Sequence, residues 1–230
     1  MAEKFAVIGL GQFGLAVAKQ LADRGAEVLA IDKNMDPVEI IKDDVAYAVG
    51  LDATDKKALL SQNISEMDAV LVAIGENIEG LLLTTVLLLE LKVKRLIARA
   101  MSMQQRIILE KIGVQEILSP EDEVGFMVAE MLLNPTVKSF LKLPDDHEIV
   151  EIKMPRRIAK KTIGEVDFME NYDLQLIGIK RYYEEYIDGK QVMVQHLVRN
   201  FNNETIIHSS DMLILLGLHN DITKFIDINN

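Results

Sequence analysis

Val7-Ile8-Gly9-Leu10-Gly11-Gln12-Phe13-Gly14 is the stretch on which the fold turns. It carries the pattern G-x-G-x-x-G between an apolar strand-like run, Phe5–Leu10, and a helical run, Gln12–Asp23. That context gives the pattern its physical content. Gly9 permits a tight turn, Gly11 lets the backbone approach a pyrophosphate, and Gly14 allows close packing of helix on strand. The helix N-terminus, opened by Gln12 and Phe13, then presents free N–H groups and a partial positive charge to phosphates. Asp32 ends the next apolar run, 18 residues after Gly14. This is the position of the acid that bonds ribose hydroxyls, and its charge repels a 2′-phosphate, which disfavours NADP. Lys33 follows it directly.

Outward from this unit, short apolar runs and helical patterns alternate. Glu27–Ile31, Val45–Val49, Ala69–Ile74, Arg95–Arg99 and Glu116–Leu118 read as strands. Pro37–Lys42, Lys56–Leu60, Leu81–Leu91 and Gln104–Ile112 read as helices between them. Uncharged runs such as Ala69–Ile74 suit a parallel sheet buried on both faces. The alternation implies right-handed crossovers and a Rossmann-like, doubly wound α/β sheet over residues 1–119. In such sheets ligands bind at the carboxyl ends of strands. Asp52 and Ala53 fall there and border an adenine. Ala73, Ile74 and Gly75 lie close to ribose and phosphates, and Arg99 can meet a phosphate. Glu76 and Asn77 read as the cap of the following helix.

The rhythm changes after Ser119. A helix from Pro120 to about Leu133, with Ser119 as its cap, and a second helical piece at Val137–Leu141 make a crossover and linker over residues 120–145. Residues 146–230 read as a small α+β lobe. Its strands are Ile149–Met154, Gln175–Lys180, Tyr182–Ile187, Gln191–Val198 and Met212–Leu216, with helices at Thr162–Val166 and Asp221–Ile226. Asp188-Gly189 between two of the strands is a hairpin signal.

Composition removes several classes of function. The chain has 230 residues, 49% of them hydrophobic and 27% charged, which is globular and not disordered. It has no cysteine, so disulfides, thiolate metal sites and a cysteine nucleophile are excluded. With a net charge of −11 and no Trp, the chain is poorly suited to nucleic acid. No apolar stretch reaches the roughly 20 residues of a membrane span. The opening residues resemble no signal peptide, so a cytoplasmic location is expected. The four His residues, His147, His196, His208 and His219, have no metal-ligand spacing. Arg156, Arg157, Lys160 and Lys161 are either a solvated loop or an anion site. Tyr182, Tyr183 and Tyr186 read as hairpin packing, and Met127 and Met131 as an interface stripe on the crossover helix.

Several further motifs resemble the RCK (KTN) family, the regulatory subunits of Ktr/Trk-type potassium uptake systems. They are Val28–Asp32, Gly50–Asp55, Val70–Gly80, Thr84–Val93, Leu109–Gly125 and Asp211–Gly217, together with the glycine loop. The pairing of AIG-x-N-x-x-x-x-x-x-T at Ala73–Thr84 with EKIG-x-x-x-I-x-x-P-E at Glu110–Glu121 is not expected of a plain dehydrogenase. The resemblance covers nearly the whole chain, as an RCK N-lobe and C-lobe. It implies a non-enzymatic regulator whose N-lobe binds an adenine nucleotide, ATP or ADP, with NAD or NADH as alternatives. It also implies dimers assembled into an octameric ring beneath a membrane potassium-translocating subunit of the KtrB/TrkH type. In some members cyclic di-AMP binds at the C-lobe dimer interface. Where the family often carries Arg in the glycine loop this chain has Gln12, and Arg99 is the substitute cation. Glu121 matches an acidic residue that helps bind a cation between subunits in some relatives, and is the candidate metal ligand. The region Arg181–Asn203 is longer than the family leads one to expect.

Two other readings use the same glycine loop. An NAD-dependent oxidoreductase needs a proton-transferring group and a substrate clamp, and the last 85 or so residues offer no such constellation. A redox-sensing repressor needs a helix-turn-helix and a basic face, and neither is visible.

Overall fold

Alternating side chains sort each strand of the first sheet between two cores. In the computed structural model, which describes residues 2–198 and 200–230, the chain divides into two compact units, one through Glu123 and one from Val124. The first unit runs β1 (Lys4–Ile8), α1 (Gln12–Asp23), β2 (Glu27–Asp32), α2 (Met35–Ile41), β3 (Tyr47–Gly50) and α3 (Lys56–Ser61). It continues through β4 (Ala69–Val72), α4 (Ile78–Glu90), β5 (Leu96–Arg99), α5 (Met103–Lys111) and β6 (Glu116–Leu118). All six strands are parallel, in the order β3-β2-β1-β4-β5-β6. Ala6, Ile8, Val70 and Val72 pack with Leu59, Leu81, Leu88 and Leu109 of α3, α4 and α5. Val7, Val28, Ala30 and Leu71 pack with Ala18, Val38 and Ile41 of α1 and α2. Two faces and two sets of helices make the doubly wound sheet. The strand order reverses between β1 and β4, and a crevice opens at that point beyond the carboxyl ends of the strands.

α6 (Pro120–Leu133) crosses from the first unit into the second, and none of its residues is buried. The Ser119 carbonyl accepts from the N–H groups of Asp122 and Glu123 at its start, while the Ser119 hydroxyl lies 3.4 Å from Arg106 Nη1. The helical piece expected at Val137–Leu141 is instead a strand, β7 (Val137–Lys142). Its backbone pairs antiparallel with β8 (His147–Lys153), a ladder that a helix could not supply. Non-local pairing overrides the local helical spacing there.

The second unit is a five-stranded antiparallel sheet, β10-β9-β11-β8-β7, with β10 at Lys190–Val198 and β11 at Met212–Leu218. The two strands expected at Gln175–Lys180 and Tyr182–Ile187 are one strand, β9 (Gln175–Ile187). α7 (Ile163–Val166) starts on a capping box between Thr162 and Glu165, and the short α8 (Phe168–Tyr172) follows it, unforeseen. α9 (His219–Asn229) closes the chain and buries Ile222, Phe225 and Ile226 against Val150, Ile152, Leu213 and Leu215. Phe225 meets Tyr172 edge-on at 4.8 Å between ring centroids. Arg199, in the long hairpin region, lies outside the described residues.

Candidate functional site

The crevice between β1 and β4 is an open cleft of about 760 Å³, in the size range of small-molecule sites. The glycine loop forms its floor. Gly9 has a φ of +96°, and a β-carbon there would stand 2.8 Å from the Ile74 nitrogen. A β-carbon on Gly14 would run into the Gly9 carbonyl oxygen. Gly9 therefore seats the loop against the end of β4, and Gly14 seats α1 against the loop. Gly9, Gly11, Gln12 and Phe13 line the cleft, and Gly14, expected among the ligand-binding residues, packs against Gly9 without lining it. No side chain caps α1, whose N-terminus faces the cleft. These are the conditions for an anion site at a helix N-terminus.

Asp32 ties this loop to β2. Its Oδ2 accepts from the Leu10 N–H at 2.6 Å, and its Oδ1 accepts from the Asn34 N–H at 2.8 Å. Each oxygen keeps a further lone pair for a hydroxyl donor. Lys33 reaches across to Asp52, donating from Nζ to Oδ2 at 2.9 Å. The Thr54 hydroxyl donates to Asp52 Oδ1 at 2.7 Å, and the Thr54 N–H to the same oxygen at 3.0 Å. The Thr54 hydroxyl, then the Lys33 ammonium and the Thr54 N–H, hold the Asp52 carboxyl down to about 2. Ala53 is buried beside it.

The far end of the cleft is built by β4, α4 and β5. Ala73, Ile74 and Gly75 form the loop after β4, and Asn77 caps α4 by accepting from the Gly80 N–H at 2.9 Å. Arg99, at the end of β5, places its guanidinium carbon 5.1 Å from the centre of the Phe13 ring. Its Nη2 donates to Glu121 Oε1 in the first turn of α6, and this bond lowers the Glu121 carboxyl below its ordinary range. Among the described residues two buried side-chain polar atoms lack a hydrogen-bond partner, Thr84 Oγ1 and Arg99 Nε, and both residues line this cleft. Buried polar atoms are normally satisfied, so two orphans in one cleft fit a polar ligand there.

The structure thus gathers Asp32, Lys33, Asp52, Ala53, Arg99 and the two loops around one space, and places Glu121 behind Arg99. Among the described residues no group of three or more His, Asp or Glu side chains is arranged to hold a metal. Thr54 and Met101 also line the cleft, and sequence reasoning did not single them out, while Thr84, the closing residue of the AIG-x-N-x-x-x-x-x-x-T element, lines it too. Thr54 had a signal, since Asp-x-Thr is a local turn in which the Thr hydroxyl and N–H both reach the Asp. Thr84 was marked only by that family element, because the apolar helical run around it reads as core.

The TrkA-N domain family profile matches residues 5–120. The chain is 35% identical over 225 residues to Ktr system potassium uptake protein C of Bacillus subtilis (strain 168), covering 98% of this chain and 96% of that one. It is 33% identical over 223 residues to Ktr system potassium uptake protein A of the same organism, covering 97% and 95%. The fold matches that of the GsuK channel bound to NAD with a TM-score of 0.62 at 14% identity, over all of this chain and 39% of the channel chain. Among the described residues no helix is long and apolar enough to cross a membrane.

Proposed function

Since the chain belongs to the TrkA-N family and its relatives are Ktr potassium uptake proteins, we propose that it is the ligand-binding regulatory subunit of such a system. An adenine nucleotide in the β1/β4 cleft controls potassium flux through a membrane partner. One observation carries this reading: the Asp32 carboxylate is bonded to the glycine loop at Leu10, so ribose and phosphate sites form a single unit. In this reading the adenine lies toward Asp52 and Ala53, the ribose hydroxyls meet Asp32, and the phosphates meet the α1 N-terminus. The last phosphate, or the nicotinamide half of NAD, extends toward Arg99. The GsuK channel bound to NAD shares this fold, which supports a dinucleotide as an alternative occupant.

Control requires that the nucleotide bind two shapes of the assembly with different affinities. The assembly is a dimer of this chain built up to an octameric ring on the cytoplasmic side, with α6 and the Thr84–Val93 segment as the coupling interface. Cyclic di-AMP is a further ligand to test on the second unit.

Titration calorimetry with ATP, ADP, NAD and NADH tests the reading. Binding of at least one is expected, with a loss of about tenfold or more in Asp32→Ala. Because Asp32 also holds Leu10 and Asn34, Asp32→Asn is the companion variant. It keeps an acceptor and should lose less. Equal affinity in wild type and Asp32→Ala would remove the ribose contact, and no binding of any of the four would remove the nucleotide.

A further inference from the structure

The hairpin region Arg181–Asn203 has no part in the function proposed above, and its second strand, β10, forms an open edge of the second sheet. Among the described residues the two sheets end on β3, β6, β7 and β10. β3 and β6 are short, at four and three residues. β7 carries Lys138 and Lys142 and an irregularity between Val137 and Ser139. Short strands, lysines and bulges keep a sheet edge from pairing with another chain. β10 lacks these guards along its middle. It is nine residues long, and its ladder with β9 runs from Lys190 to Val198 without a shift. Within it, Gln191–Gln195 carries no charge, no Pro and no Gly.

Both the sequence and the hydrogen-bond phase of this edge suit one occupant. Gln191-Val192-Met193-Val194-Gln195 reads the same in both directions. Asp188 and Gly189, with φ of +51° and +74°, make the two-residue turn that precedes the strand. Such a turn closes on a hydrogen-bonded pair, here Ile187 and Lys190, and the two kinds of antiparallel pair alternate from there. Val192 and Val194 therefore spend their N–H and C=O groups on β9. Gln191, Met193 and Gln195 turn theirs toward the open edge. An antiparallel copy of the strand, set with Met193 against Met193, meets this edge in the same phase. Gln191 then faces the partner's Gln195, and Val192 faces the partner's Val194 on the opposite side of the sheet. Beyond them Lys190 faces the partner's His196, whose ring nitrogen lies 2.7 Å from a Glu185 oxygen, so an acid stands beside that cation.

We propose that two copies of this chain pair antiparallel through β10, about a two-fold axis at Met193, and join their second-unit sheets into one. The contact is isologous, and a strand that is its own reverse is what such a contact needs. It is distinct from the interface of α6 and Thr84–Val93, and it does not rest on the nucleotide cleft. Two different isologous contacts on one chain link dimers into a larger assembly.

The test uses the full chain, whose lack of cysteine makes an introduced thiol unique. Met193 is 58% exposed, so Met193→Cys leaves the core intact. Facing residues in a hydrogen-bonded antiparallel pair stand about 5.5 Å apart at Cα, within reach of a disulfide. Mild oxidation should convert most of Met193→Cys into a covalent dimer on a non-reducing gel. In Gln191→Cys or Gln195→Cys alone, like thiols stand roughly 14 Å apart along the ladder and should not link. The two co-expressed should link to each other. Met193→Lys puts two ammonium groups on the axis and should lower the assembly state in sedimentation velocity, with an unchanged circular dichroism spectrum. No covalent dimer in Met193→Cys overturns the self-pairing and leaves the edge to a strand of another protein. Gln191→Cys alone linking as readily as Met193→Cys overturns the register, and so does a co-expressed pair that fails to link. A wild type that sediments as a monomer, or Met193→Lys sedimenting as wild type does, overturns the contact.

Discussion

Asp52 is the residue whose surroundings make the sharpest prediction. Its carboxylate accepts from the Thr54 hydroxyl, the Lys33 ammonium and the Thr54 N–H, and its carboxyl sits at about 2. An unfolded Asp titrates at about 3.9. The folded value is the lower one, so these bonds stabilise the fold fully above the unfolded value. Their contribution fades as pH falls through the window between it and about 2. A carboxyl-carbon NMR titration should show the Asp52 midpoint near 2, and Thr54→Val should move it up toward the ordinary range. A midpoint unaffected by Thr54→Val would mean that the hydroxyl is not what holds the charge. For ligand binding the consequence is simple. Asp52 stays ionised at any pH at which a nucleotide would be tested, so it does not make the cleft pH-sensitive near neutrality.

At the scale of elements, β9 shows how one pair of residues sets the length of a strand. Arg181 stands in the middle of it and is bonded to Asp211, whose side chain is fully buried. The Asp211 carboxylate also accepts from the His208 N–H at 2.8 Å, so its charge is well compensated. Removing one partner leaves the other buried and uncompensated. Asp211→Ala should cost about 3–5 kcal/mol in urea unfolding, while the apolar double replacement Arg181→Met/Asp211→Leu should recover most of that loss. A loss below about 1 kcal/mol in Asp211→Ala would show that the pair does not hold the strand together. The same pair explains a limit of the sequence. Two adjacent cations, Lys180 and Arg181, read as the end of a strand, and the partner that neutralises Arg181 lies 30 positions away. The strand β7 was hidden for a similar reason, because its fate depends on a ladder with β8 and not on its own spacing. The first sheet was legible because each strand there is a run of local apolar residues in a regular alternation with helices. Within the cleft, the glycine loop and Asp32 were legible from spacing. Thr84 was legible as the end of the AIG-x-N-x-x-x-x-x-x-T element, but the burial of its unpartnered hydroxyl was not, because only the folded helix settles it.

At the scale of the whole molecule, α6 leaves an unsolved burial problem in a single chain. None of its residues is buried, and Leu132 and Leu133 are 76% and 75% exposed, with Val124 and Val128 also exposed. Scattered apolar residues on a surface need no explanation, but several on one 14-residue helix do. The two units each have their own apolar core, so this helix is not needed to complete either of them. Its apolar residues are best covered by a second copy of the chain, as the proposed dimer requires. Charge points to the same division of labour. Through Leu133 the chain carries 21 acidic and 13 basic residues, so the proposed association would rest on apolar contact against a net repulsion. Replacing Leu132 and Leu133 together by Asp should therefore lower the assembly state seen by sedimentation velocity. It should leave the far-ultraviolet circular dichroism and the nucleotide affinity within about twofold of wild type, since neither residue lines the cleft. Adding salt should strengthen the wild-type assembly by screening the like charges, and should do little to rescue the variant, whose apolar contact is gone. A double variant that sediments as wild type does would place the contact between copies elsewhere on the chain, and α6 would then serve only to carry the backbone from one unit to the other.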